Sequence, residues 1–268
     1  MATAATAGKS PGFAKHPGYM VDLIASPRRV RVIVDSETIA DSSNMMLMRE
    51  TRHLPVYYFP LDDIRMDLIR RTDHATHCPF KGEASYWTLA LGDREIENIM
   101  WSYERPYNEK PELTGYGAFY WDRVDRWYEE DEEIFVHPRD PHKRIDTVPS
   151  SRLVRVTLRG QTVAVSTRAH FLFETNMPTR YYIPKDDVRM DLLSPTDNQT
   201  RCPYKGIASY WSAVIDGETF EDIVWSYPDP VPECPRIKDL MCFYNENVET
   251  IHVDGSEVQR PMTPWSKT

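Results

Sequence analysis

Residues 30–134 align with residues 154–258 without a gap when the chain is shifted by 124 positions, and roughly 40 of about 105 positions are then identical. Unrelated segments agree far less often, so this is an internal repeat. No other feature limits the fold as strongly, because the chain must build two copies of one small domain. Agreement between the copies is also internal evidence of constraint. It concentrates in residues capable of chemistry: Glu50 with Glu174, Tyr57 with Tyr181, Cys78-Pro79 with Cys202-Pro203, and Lys81-Gly82 with Lys205-Gly206. It continues through Ala84-Ser85-Tyr86-Trp87 against Ala208-Ser209-Tyr210-Trp211, and Trp101-Ser102-Tyr103 against Trp225-Ser226-Tyr227.

Local patterning makes each copy a β domain. The β-branched run Val30–Val34, the turn residues after it and a returning strand read as a hairpin, and Val154–Leu158, Arg159-Gly160 and Thr162–Val165 repeat it. A second hairpin flanks Gly92-Asp93 in copy one and Asp216-Gly217-Glu218 in copy two. Asp62–Leu68 and Asp186–Leu192 follow a proline and carry helix formers, which predicts a short helix with an Asp N-cap. With no long segment of helical period, the expected fold is mainly β. It is two tandem copies of a small antiparallel β-barrel or β-tent-like domain, each with one short helix.

The expected boundaries are a flexible N-terminal arm over residues 1–26, a first β domain over 27–136 and a linker over 137–152. A second β domain over 153–260 and a tail over 261–268 complete the chain. The arm is rich in Ala, Gly, Pro and Ser, and Pro138, Pro141 and Pro149 stiffen the linker. The two domains are expected to act as an intramolecular pseudo-dimer, a homodimer in addition staying open.

A net charge of −9 and the acidic run Glu129–Glu133 argue against nucleic acid, whose binding needs a basic footprint. No apolar stretch approaches the ~18 residues of a membrane span, and Met1–Lys15 lacks the apolar core of a secretory signal. Four cysteines, Cys78, Cys202, Cys234 and Cys242, form no paired framework, and such sparing use fits a reducing cytoplasm. A structural zinc site needs four ligands. Copy one has a single Cys, and its His53, His74 and His77 become Met177, Asn198 and Arg201. No metal and no cofactor are therefore expected.

Three constellations carry candidate chemistry. In the block Cys-Pro-Phe/Tyr-Lys-Gly, proline and glycine fix a corner from which Cys78 and Lys81 (Cys202 and Lys205) project. The pair reads either as an activated thiol with an anion anchor or as a packed cysteine beside an ion-paired lysine. Trp87, Trp101 and Tyr103, with Trp211, Trp225 and Tyr227, wall a pocket or simply fill a core. Glu50 and Glu174 are candidate bases, Tyr57 and Tyr181 candidate proton donors, and Arg65 and Arg189 candidate substrate contacts, each with an ordinary structural use as alternative. No nucleophile elbow, phosphate loop or dinucleotide fingerprint is present.

Copy two contains Tyr-Tyr-x-Pro-x-Asp-Asp-Val-Arg-Met-Asp-Leu-Leu, Thr-x-Cys-Pro-Tyr-Lys-Gly-x-Ala-Ser-Tyr-Trp, Trp-Ser-Tyr-Pro-x-Pro and Cys-Phe-Tyr-Asn-Glu. These segments closely resemble the family catalogued as domain of unknown function four-two-seven. The likeness covers both repeats; copy one departs with Phe80 for Tyr and Gly117–Trp121 for the Cys-Phe-Tyr-Asn segment. The resemblance implies a compact β fold related to β-tent domains without their cysteine pairs, and a pocket lined by the matching Glu, Tyr, Cys, Lys and Trp positions. The expected function is a small-molecule enzyme using metal-free acid/base chemistry of hydrolase, lyase or isomerase type on a polar or aromatic metabolite. A non-catalytic binding module with an aromatic cage and a structural interaction protein are the alternatives.

Overall fold

Alternation of apolar and polar residues over short β-branched and aromatic runs dictates strands with two unlike faces. The computed structural model describes residues 7–266, and the chain divides between Asp140 and Pro141 into two units. In the first unit a five-residue helix α1 (Pro11–Lys15) precedes β1 (Val21–Ala25), β2 (Val30–Val34), β3 (Glu37–Ser42), β4 (Met46–Glu50) and β5 (Val56–Pro60). Then come β6 (Ile69–Cys78), β7 (Gly82–Leu91), β8 (Arg94–Pro106), β9 (Tyr116–Phe119), β10 (Arg126–Glu129) and β11 (Glu132–Ile134). They form an antiparallel seven-stranded sheet in the order β1-β4-β5-β9-β8-β7-β6 and a four-stranded sheet in the order β11-β10-β2-β3. Neither closes into a barrel. The second unit repeats both sheets in the same order, from Ile145–Pro149 to Ser256–Glu257.

The hairpins lie where turn chemistry puts them. Asp35 and Ser36 both adopt positive φ between β2 and β3, as Arg159 and Gly160 do in the second unit, matching the twist of the flanking strands. Between the two sheets of the first unit, Val32, Leu47, Tyr57, Phe59, Trp87, Leu89, Ile99, Phe119 and Trp127 make one buried core. Met48, Tyr58, Ala84, Tyr86, Tyr103 and Ala118 come from the same strands but form a second cluster on the outer face of the seven-stranded sheet. Period-two alternation separates the two sets on β4, β5, β7 and β9, and on β8 the irregularity at Asn98, φ +51°, puts Ile99 on the core side although it shares the parity of Tyr103.

Three expectations are corrected. The described part of the arm is ordered: Ser10 caps α1, Gly12 is buried against Phe80, and β1 pairs with β4 from Val21↔Glu50 to Ala25↔Met46. Its first six residues lie outside the described residues, as do the last two of the tail. The linker is also structured, because Ile145–Pro149 is an edge strand paired with His170–Glu174. These two edge strands stand 124 positions apart, so the repeat extends into segments whose residues match only at Asp22 and Asp146. Finally, each predicted helix is a pair of 3-10 turns, Leu61–Asp63 with Met66–Leu68 and Lys185–Asp187 with Met190–Leu192. No side chain caps them. Asp63 and Asp187 instead accept hydrogen bonds from Ser42 Oγ and Ser166 Oγ at 2.6 Å, tying the turns to the smaller sheets.

Candidate active site

The corner Cys78–Gly82 turns β6 into β7, and Gly82 at φ +111° is the residue that lets it. A Cβ there would stand 3.2 Å from the Arg105 carbonyl oxygen. The corner aims Lys81 across the outer face of the sheet toward Glu50 at the end of β4, and the ammonium donates to Glu50 Oε2. The other carboxylate oxygen accepts from the Tyr19 hydroxyl at 2.9 Å. Lys81 also lies 5.8 Å from the centre of the Tyr103 ring and 3.8 Å from Met48 Sδ. Both charged side chains are about nine-tenths buried, 10% exposed for Lys81 and 8% for Glu50. Two charges so withdrawn from water persist only as a pair.

Tyr19 is held by the segment that the sequence marked as a loose arm. It stacks on Phe80 at 3.7 Å with the ring planes 7° apart, and Phe13 meets the same ring edge-on at 5.2 Å. Beneath them Ser10 Oγ and the Gly12 N–H both donate to the Pro79 carbonyl, at 2.8 and 2.9 Å. Burial, then the hydrogen bond to Glu50, raises the Tyr19 phenol above its ordinary range, so it stays protonated and donates.

These groups line a cavity of ≈ 710 Å³ in the first unit, together with Cys78, Tyr58, Tyr86, Trp101, Tyr103, Tyr120 and the loop Arg52–Leu54. That volume suits a small organic molecule. Trp101 Nε1 donates to the Tyr58 hydroxyl at 3.1 Å and the indole packs against Tyr120 at 4.7 Å, so the wall is rigid. Burial pushes the Tyr58 and Tyr103 phenols well up, and burial with the Tyr86 contact lifts Tyr120 to about 12. The phenols therefore stand as neutral donors around the one carboxylate.

The second unit builds the same corner with a different third partner. Lys205 donates to Glu174 Oε2 at 2.6 Å, and Gly206 takes φ +107°. The position 124 residues beyond Tyr19 is Lys143, whose ammonium reaches Glu174 Oε1 at 2.7 Å and lies 5.0 Å from the centre of the Tyr204 ring. Burial would raise the Glu174 pKa, but the charge of Lys205 and the contacts of Lys143 outweigh it and hold the carboxyl below its ordinary value. Lys205 is shifted the other way: burial opposes its charge, and Cys202 and Glu174 override burial. Tyr182 accepts from Trp225 Nε1 at 3.1 Å, as in the first unit. The position of Val56, a wall residue of the first cavity, is taken by Arg180. Its guanidinium is buried in a two-pronged pair with Glu246, both bonds 2.6 Å, and lies 5.4 Å from the centre of the Trp225 ring.

Of the sequence candidates, the first unit thus brings Glu50, Lys81, Cys78, Trp101 and Tyr103 to one cavity. The second unit joins Glu174 to Lys205, sets Cys202 half-buried beside that lysine, and buries Trp225 and Tyr227 on the outer face of its sheet. Tyr57 and Tyr181 do not join these groups. They point into the inter-sheet cores, where the Tyr57 hydroxyl donates to buried Glu129 at 2.5 Å and Tyr181 packs edge-on against Phe171 at 4.9 Å. Trp87 is core, and Trp211 packs against core with Lys185 6.0 Å from its ring centre. Arg65 and Arg189 are exposed and paired with Asp67 and Asp191, at bonds of 2.6–2.8 Å, away from the cavity lining. Sequence reasoning missed Tyr19, Tyr58 and Tyr120. Tyr58 and Tyr120 do recur as Tyr182 and Tyr244, but Tyr19 has no matching residue to reveal it.

Among the described residues no group of three or more His, Cys, Asp or Glu is gathered to hold a metal ion, and no helix is long and apolar enough to cross a membrane. The sequence model of one protein family, described as Domain of unknown function (DUF427), matches residues 22–130 and again residues 146–254. A search of curated proteins finds no match.

Proposed function

We propose that this chain, which belongs to the DUF427 family through both of its halves, is an enzyme that works on a small polar or aromatic molecule by acid/base chemistry. The observation that carries this is the meeting of Glu50, Lys81 and Tyr19 on the wall of an aromatic-lined cavity of ≈ 710 Å³. Glu50 is the base. Lys81 holds the carboxylate in place through their ion pair, and lends positive charge to an oxygen that becomes negative during reaction. Tyr19, whose hydroxyl stays protonated, is the donor that returns a proton. Such a set serves hydrolysis, elimination or isomerisation and takes no step through a bound metal or cofactor. Cys78 supports the wall. Four free thiols suit a reducing compartment such as the cytoplasm.

A second reading, binding without turnover, draws on the internal pairing of the groups. Both Glu50 oxygens already accept hydrogen bonds, and Trp101 spends its N–H on Tyr58. Incubating the protein with a fractionated metabolite extract and following consumption by mass spectrometry separates the two. Glu50→Gln keeps the shape and the Tyr19 contact but removes the base. Consumption by the wild type that vanishes in Glu50→Gln supports the enzyme; a compound bound equally by both and consumed by neither sinks it in favour of the binding module.

A further inference from the structure

At the cavity mouth, β4 ends in a tight turn in which the His53 N–H donates to the Glu50 carbonyl at 3.0 Å and Arg52 takes φ +64°. The second unit makes the same turn. The Met177 N–H donates to the Glu174 carbonyl at 3.0 Å, and the left-handed residue is Asn176 at φ +62°. Asparagine enters that conformation readily, whereas a long side chain with an ordinary Cβ is strained in it. The first unit therefore keeps arginine where its own repeat shows a relaxed solution. Strain held at a site is a pointer to use.

The guanidinium has no structural employment to explain it. Arg49, Arg65 and Arg71 of the same unit are each paired with a carboxylate, but Arg52 pairs with none among the described residues. Lys81, which lines the same cavity, is paired with Glu50, whereas Arg52 has no acidic partner among the described residues. Arg52 lines that cavity, and its charge acts on the Tyr19 hydroxyl.

We propose that Arg52 anchors an anionic group, a carboxylate or a phosphate, on a ligand whose ring lies against Trp101 and Tyr86 in the first unit's cavity. This rests on that cavity being a ligand site, as proposed above. A planar guanidinium grips either anion through two parallel N–H donors. The second unit, with Asn176 and Met177 at the equivalent positions, lacks the anchor and does not select such a ligand.

The test uses the full chain and three probes of one ring size: 4-hydroxybenzoate, phenyl phosphate and the uncharged 4-hydroxybenzamide. Dissociation constants come from ligand-observed NMR at low and at physiological salt. At least one anion is expected to bind about tenfold more tightly than the amide at low salt, the gap narrowing as salt screens an exposed charge. Which anion wins identifies the group. Arg52→Asn, the residue the repeat already carries in this conformation, should bring the anion to the level of the amide and leave the amide unchanged. Equal binding of all three probes, or an anion preference that survives Arg52→Asn, overturns the role of Arg52 and leaves the cavity reading standing. Absence of binding by all three overturns both.

Discussion

The two units hold the same carboxylate in different company, so one substitution made in each has unequal consequences. In Lys81→Met the ammonium is lost and Glu50, 8% exposed, keeps only the Tyr19 hydroxyl. Removing one partner of a buried ion pair costs about 3–5 kcal/mol, and the remaining neutral hydrogen bond returns ~1, so the net loss is about 3 kcal/mol. In Lys205→Met, Glu174 keeps a full ion pair with Lys143 at 2.7 Å, so no uncompensated charge is left and the loss is nearer ~1 kcal/mol. For units of this size these figures correspond to about 10 °C and about 3 °C in the midpoint of the affected unit. The assay is urea unfolding followed by pulsed hydrogen exchange and mass spectrometry, reading peptides from β7 for one unit and from Gly206–Ile215 for the other. Lys143→Met with Lys205→Met should then lose more than the sum of the two singles, because only the double variant strands Glu174. Equal losses in Lys81→Met and Lys205→Met, or strict additivity in the double, would refute the account of both clusters.

Two other outcomes follow from the geometry, beside the Glu50→Gln and Arg52→Asn tests. Glu174 is depressed in the folded protein, so its contribution is present above its ordinary value of 4.5 and disappears as pH falls through the lower folded value. Lys205 is raised, so its share is complete below 10.5 and disappears as pH climbs through the higher folded value. Melting of the second unit should therefore fall away at both extremes, and the stability gap between wild type and Glu174→Gln should close as pH falls through the lowered folded value of Glu174; a gap that stays constant as the solution is acidified from neutrality contradicts this. Gly82→Ala and Gly206→Ala should each cost about 1–3 kcal/mol of unfolding free energy, read as a lower urea midpoint with unchanged slope. They force a side chain into φ +111° and +107°, with the new carbon 3.2 and 3.1 Å from a backbone oxygen.

Much of this was legible in the residues. The repeat forecast two β units, and the turn chemistry at Asp35-Ser36 and Asp216-Gly217 placed hairpins that the structure contains. Glu50, Lys81 and Trp101 recur because they interlock, and recurrence found them. It could not choose between Tyr57 and Tyr58, since both recur and only the strand's phase, set by the partners of β5, decides which faces the core. Tyr19 was hidden for a different reason. Its counterpart is Lys143, a residue of another kind that reaches the same carboxylate, and composition made its surroundings look like a tether. Each short helix formed as two 3-10 turns rather than one α-helix, because Ile64 and Val188 between the turns are extended and bridge Ala40 and Ala164, while Ser42 and Ser166 hold Asp63 and Asp187 from the side.

The two-faced seven-stranded sheet has a consequence for how such a molecule can change. Residues that hold a unit together and residues that line its outer cavity sit one step apart on the same strands, yet on opposite sides. After the gene doubled both sides changed, but differently: core positions exchanged one apolar residue for another, as Leu47 against Phe171 and Phe59 against Ile183, whereas Tyr19 against Lys143, Arg52 against Asn176 and Val56 against Arg180 change the chemistry at cavity-lining positions. A chain built this way can acquire two unlike tastes without having to learn to fold a second time.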